Sequence, residues 1–275
     1  VLNDGDGKAI YSAKPLVQTF KTAASPGDPL TPDILNINID AENEKVSDIS
    51  MNEMTATAKG SPIFKYDDTI DRNVIILSDG ATIKLSDYVD DALAMSYGFT
   101  IEAYFSIDEF PEATAGNPIA SLQDGGFGFE ALSDGTVLFQ ANNGSYQKIT
   151  KTMEQGLYYH WVCVYNGSTL TAYVNGNKLG SIACNGPLTF QADSGKVVYL
   201  GSDTNATGDS EKPVDCSIAI TRIYSEALTA EQANILWENV ADGRDKDIYN
   251  DDAYDPEYLT WIDYDDSDSE HVIYI

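Results

Sequence analysis

Between the two Asn-Gly dipeptides at Asn166–Gly167 and Asn175–Gly176 apolar and polar residues alternate. Leu170, Ala172 and Val174 interleave with Thr169, Thr171 and Tyr173, the two-residue period of a strand with one buried face. Asn-Gly tolerates positive φ at both positions, as a two-residue reversal with hairpin twist requires. The stretch predicts a three-stranded antiparallel meander over about Tyr158 to Tyr165, Thr169 to Val174 and Lys178 to Cys184. Similar segments flank it: "GFTIEAYFSI" from Gly98, "NPIASLQ" from Asn117, "GFGFEALSDGTVLFQANNGSYQKIT" from Gly126, "KVVYLGS" from Lys196 and "CSIAITRIYS" from Cys216. Short strands divided by turn signals predict an all-β sandwich or barrel. Upstream, "DILNINID" and "NVIILS" predict two more strands, with a polar loop through Asp48 and Asn52 between them.

One segment, "LTAEQANILWENV" from Leu228 to Val240, has a helical period instead. Thr229 is its expected N-cap, and Gln232 completes a capping box. Leu228, Ala233, Leu236, Trp237 and Val240 form a stripe that can dock on the sandwich.

The ends differ in character. Residues 1–28 read as an arm or linker leading into "ASPGDPLTPD". Residues 241–275 hold twelve acidic residues against two basic ones, yet Tyr254, Tyr258, Leu259, Trp261, Ile262 and Tyr264 make them too apolar for a purely solvated run. That tail is expected to pack on the sandwich or to lead into a neighbouring domain.

Charge then narrows the partners. The 275 residues carry a formal charge of -28, which opposes nucleic acid and anionic membranes because phosphate recognition needs a basic footprint. No apolar run is long enough to span a bilayer, so membrane insertion is not expected. "VLNDGDGKAI" lacks the features of a signal peptide, and the expectation is a mature protein or an excised module. Cys163, Cys184 and Cys216 have no metal spacing and read as buried thiols.

The order of blocks carries a resemblance. "DILNINIDAENEKVSDISMNEMTATAKGSPIF", "VIILSDGATIKL", "GFTIEAYFSI", "YYHWVCVYNGSTLTAYVNGNKLG" and "IAITRIYSEALTAEQANILWEN" resemble the successive blocks of laminin-G-like, concanavalin A-like domains of bacterial secreted proteins. The likeness covers residues 29–240. Tyr159, His160, Val164, Tyr165 and Gly167 match one family strand. Ile218, Arg222, Ile223, Tyr224, Ala227, Leu228 and Thr229 match its closing strand and helix start. The resemblance implies a two-sheet antiparallel jelly roll with one short C-terminal helix, in a secreted or cell-surface protein, beside a partner domain such as a hydrolase. In the family an Asp at the position of Ala219 often helps to hold structural calcium, and Ala219 removes that ligand.

Catalytic chemistry finds little support in the residues. A retaining glycosidase on this fold needs paired carboxylates at strand spacing, and "DAENE" at Asp40 to Glu44 reads as loop. Two His in the whole chain do not furnish a zinc or dinuclear site, and His160 reads as a packing imidazole. No nucleophile elbow or phosphate-cradling loop occurs. Calcium needs only hard oxygen ligands from loops. "NDGDGK" fails as an EF-hand, since placing Gly7 sixth makes Leu2 the first ligand. Asp40, Glu42 and Asp48, or Asp203, Asn205 and Asp209, are the candidate calcium groups.

Sugar recognition needs an aromatic face with amides or carboxylates beside it. Asn142, Asn143 and Tyr146 stand together in "QANNGSYQ", and Gln123 and Asp124 in "LQDGG" lie on a turn expected to be adjacent. The sequence is thus read as a noncatalytic carbohydrate-binding module of a larger protein, with glycan and neighbouring domains as partners. A structural or protein-interaction spacer is the alternative, and a glycoside hydrolase on the same fold the third reading.

Overall fold

The computed structural model describes residues 30–50, 52–86, 98–112, 115–121, 125–189, 197–205 and 208–248. Two antiparallel sheets face each other. One follows the order β14 (Asn177–Ala183), β13 (Thr169–Val174), β12 (Tyr159–Tyr165), β7 (Phe99–Glu109), β18 (Asp215–Tyr224), β1 (Leu35–Asp40) and β2 (Lys45–Asp48). Off that path β5 (Arg72–Leu77) also pairs with β18, and β4 (Ile63–Asp67) pairs with β5, making nine strands. The other sheet has seven, in the order β11 (Tyr146–Thr152), β10 (Thr136–Asn142), β9 (Phe127–Ala131), β8 (Ile119–Ser121), β15 (Val198–Leu200), β6 (Thr82–Ser86) and β3 (Thr55–Lys59). A small hairpin joins β16 (Asp203–Thr204) to β17 (Ser210–Glu211).

Alternation places Phe99, Ile101, Ala103, Phe105 and Ile107 of β7 in the core opposite Phe127, Phe129, Val137 and Phe139. Phe129 meets Phe105 with ring centroids 5.1 Å apart and Trp161 at 5.5 Å, both edge-on, the arrangement that ring quadrupoles favour. Each such side chain stabilises the fold by about 1.5–3 kcal/mol through burial. Cys163, Cys184 and Cys216 are buried and unbonded.

The meander forms as its pattern predicts, with one difference. Asn175 and Gly176 both have positive φ, 48° and 74°, and close β13 to β14 in two residues. At the other Asn-Gly only Gly167 has positive φ. There the Asn166 N–H donates to the Thr169 carbonyl and Asn166 Oδ1 accepts from the backbone N–H groups of Ser168 and Thr169, so the reversal runs through Gly167 and Ser168, one residue past the Asn-Gly pair, with Asn166 as its side-chain cap. A Cβ on Gly176 would lie 2.3 Å from Cδ1 of Trp237. That turn is therefore the seat of the helix.

Helix α1 (Ala230–Ala241) has the Thr229–Gln232 capping box. Its entry is fixed by the Leu228 N–H donating to Thr100 Oγ1 at 3.0 Å, and Leu228, Ala233, Leu236 and Val240 are buried against the outer face of the nine-stranded sheet. A one-turn helix, α2 (Asp245–Ile248), follows, in addition to the single helix expected. Residues 241–248 thus continue α1 and form α2, whereas residues 1–28 and 249–275 of the expected arm and tail lie outside the described residues. The polar loop expected through Asp48 is instead the strand β2, with Asp48 opposite Ile37.

Strand β18 serves two neighbours. Cys216 to Ile218 pair with β5, while Arg222 and Ile223 pair with β1. Between them the register against β7 shifts, Ile218 opposing Phe105 and Ile220 opposing Tyr104, so Ala219 is an extra residue that bends the strand. β5 and β1 part at this bulge and leave a fork in the sheet.

Candidate functional site

The end of the β10–β11 hairpin gathers most of the residues expected to meet sugar. Tyr146 lies opposite Asn142 across the strands and is 38% exposed. Its hydroxyl accepts from the N–H of Gly125 at 3.1 Å and donates to the Gly125 carbonyl at 3.3 Å. The "LQDGG" turn therefore ends against this ring, although Gln123 and Asp124 lie outside the described residues. Asn143 donates from Nδ2 to the Asn185 carbonyl at 2.9 Å and accepts from Gln147 Nε2 at 3.4 Å, and it is half-buried near Tyr146. Asn142 has another role: its buried carboxamide oxygen accepts from the Gly144 N–H and the Thr189 hydroxyl, holding the turn together. An aromatic face braced by backbone, with a neighbouring amide, can take a pyranose ring and one of its hydroxyls.

The acidic groups expected for calcium are arranged differently. Asp40 opposes Lys45 and Asp48 opposes Ile37, so by alternation they point to opposite faces, about 10 Å apart along the strand. Asp48 accepts from the N–H groups of Asn36, Ser50 and Met54 and from the Ser50 hydroxyl; Asp40 caps the turn at Glu42 and Asn43. These carboxylates organise backbone and do not converge with Glu42 on one point. Asn205 and Asp209 do meet, through the Asp209 N–H and Asn205 Oδ1 at 2.9 Å. Asp203 Oδ1, however, accepts the Thr204 N–H. Among the described residues no three His, Cys, Asp or Glu side chains form a metal-holding group.

A third polar group escaped the sequence reading. Under α1, Glu102 of β7 is fully buried and receives His160 Nε2 at 3.0 Å, Arg222 Nη1 at 3.3 Å and the Tyr224 hydroxyl at 2.7 Å. Arg222 also donates to Asp245 of α2 at 3.1 Å. Arg72 grips Asp245 with both terminal nitrogens, at 2.7 and 2.6 Å, and donates to the Val240 carbonyl at 2.8 Å. Burial pushes the Glu102 carboxyl up, but Arg222 and His160, with the Tyr224 hydroxyl, outweigh it and bring the group down to about 2. One signal for it lay in "FTIEAYFSI" and "AITRIYS", where an acid and an arginine interrupt buried strands; a charge in such a place requires a partner. The arrangement clamps helix to sheet.

No curated protein matches the chain in sequence. Solved structures match it in shape. The binding domain of botulinum neurotoxin DC in complex with SialylT aligns with a TM-score of 0.58 at 15% identity, covering 76% of this chain and 52% of that one. The same domain in complex with rat synaptotagmin II gives 0.58 at 14% identity, with the same coverage. A botulinum neurotoxin type C structure, whose cell entry is described as dependent upon interaction with two ganglioside molecules, gives 0.57 at 14%, covering 76% and 51%. The chain spans about half the length of these relatives, and at such identities the likeness is one of fold. Residues 77–234 match the laminin G type 3 family of the concanavalin A-like lectin/glucanases superfamily. That match covers more than half the sequence and agrees with the two-sheet order and the capped closing helix, so the chain belongs to the concanavalin A-like lectin/glucanase superfamily.

Proposed function

We propose that this chain is a noncatalytic carbohydrate-binding module of a larger secreted or cell-surface protein, and that Tyr146 with Asn143 forms its primary contact with glycan. The observation that carries this reading is the exposed Tyr146 ring, anchored through its hydroxyl to the Gly125 backbone beside the half-buried amide of Asn143. A ring already fixed in place loses little conformational freedom when a sugar stacks on it. The similar toxin domains, described with SialylT and with gangliosides, support a sugar-bearing receptor as the ligand class.

A noncatalytic role is supported by the outer face of the seven-stranded sheet. Register places Lys148, Gln140, Gly128, Ala120, Tyr199, Lys84 and Thr57 in one row across it. Among the strand residues on that face, Glu130 is the single acid, and it accepts from Gln140 at 3.3 Å. A glycosidase needs two carboxyl groups flanking the scissile bond.

The test is a glycan array probed with the full chain and with Tyr146→Ala, each in millimolar calcium and in chelator. Binding to a coherent sugar class should weaken in the variant by roughly 1–3 kcal/mol, the loss of one stacking anchor. Loss of binding in chelator would bring calcium into the site. Silence across the array from folded protein would overturn the reading in favour of a spacer between neighbouring domains.

A further inference from the structure

The fork between β5 and β1 opens a cleft of about 250 Å³, floored by Ala219 and Ile220 and walled by Asn36, Asn38, Tyr66 and Arg72. It lies on the other sheet from Tyr146. Two features mark it as a built pocket. Beside the bulge neither β5 nor β1 continues the ladder along Ala219–Thr221, so this short stretch of strand edge faces the cleft. Asn36 is only 7% exposed, and among the described residues neither its carboxamide nor that of Asn38 makes a hydrogen bond. Carboxamides that line a cleft with both donor and acceptor unused by the protein can serve a ligand there.

Charge decides which partner. Three cations stand at the cleft, in a chain with few, but each is already matched. Arg72 and Arg222 share Asp245, Arg222 also holds Glu102, and Lys246 holds Asp71. The cleft therefore offers no excess positive charge to an anion. What remains on offer is uncharged: amides, strand-edge backbone, and the Tyr66 ring, half exposed at the rim with its hydroxyl tied to Asp71. The volume lies below the usual range for drug-sized ligands, matching one small, hydroxyl-rich group.

We propose that the fork cleft is a second binding site, for a neutral sugar residue, with Asn36 and Asn38 reading its hydroxyls and Tyr66 covering its face. The site is independent of the Tyr146 corner. The experiment is a protein-observed NMR titration of the full chain with the methyl glycosides of glucose, galactose, mannose and N-acetylglucosamine, and with inorganic phosphate. At least one glycoside should shift the amides of Asn38, Tyr66, Asn73 and Ile220. The affinity read there should fall about tenfold in Tyr66→Ala and stay within about twofold in Tyr146→Ala. Asn38→Ala, at a half-buried strand position, is a second variant expected to weaken the same shifts. Shifts confined to Asn143–Gln147, shifts at the fork with phosphate alone, or no response there to any glycoside would each overturn the proposal. The first of these outcomes would leave the Tyr146 reading intact, so the two sites fail separately.

Discussion

Beneath α1, the groups Glu102, His160, Arg222, Tyr224, Asp245 and Arg72 are buried and bond to one another. At the β10–β11 end, Tyr146 and Asn143 bond to backbone and keep part of their surface in water. Both regions combine an aromatic ring with strong polar groups, the ingredients of a recognition site. Their surroundings separate them. Where a helix excludes water, each polar group must find a protein partner, and the result is cohesion. Where water remains, a side chain can be held at one end and still present a face to a ligand.

The largest test of this contrast is Asp245→Ala. It leaves Arg72 and Arg222 buried without their shared carboxylate and should cost about 3–5 kcal/mol, read as a lowered denaturation midpoint. A loss under about 1 kcal/mol would show that the network contributes little. Next comes pH. Glu102 ionises at about 2 in the fold, below its ordinary 4.5, so its contribution is full above 4.5 and disappears as pH falls through 2. The amount is on the order of 3 kcal/mol. Denaturant titrations from about pH 5 down to pH 2 should show that loss in the wild type and a flatter profile in Glu102→Gln; equal profiles would refute the assignment. The smallest effect belongs to the corner. Tyr146→Ala should leave stability within about 0.5 kcal/mol while weakening glycan binding, and a large drop in stability would move Tyr146 into the structural class with Glu102.

Legibility in the sequence followed the same division between local and distant causes. The meander and the capped helix were readable because their determinants lie within a few residues: Asn175 with Gly176, Thr229 with Gln232. Strands β2, β3 and β4 were not. "TATAK" and "KVSD" carry almost no apolar signal, and become strands through pairing with β6 and β1. Asp48 read as a loop ligand because the backbone donors that surround it in the fold are visible only once β1 lies alongside. The clamp was hidden by distance, since Arg72 and Asp245 stand 173 residues apart in sequence. At the candidate site the hairpin end was legible and its bond to Gly125 followed from adjacency of turns, but the fork was not, because a bulge leaves no distinctive residue behind.

That bulge has an evolutionary side. In "CSIAITRIY", Cys216 and Ile218 face the core before Ala219, and Thr221 and Ile223 face it afterwards. Removing the one alanine would restore unbroken alternation while every other residue kept its facing. A single in-frame codon loss is thus enough to heal the strand and draw β5 and β1 toward one continuous ladder. The cleft can be gained or erased between lineages without rebuilding the core, so relatives with the same sandwich can differ in how many ligands they hold.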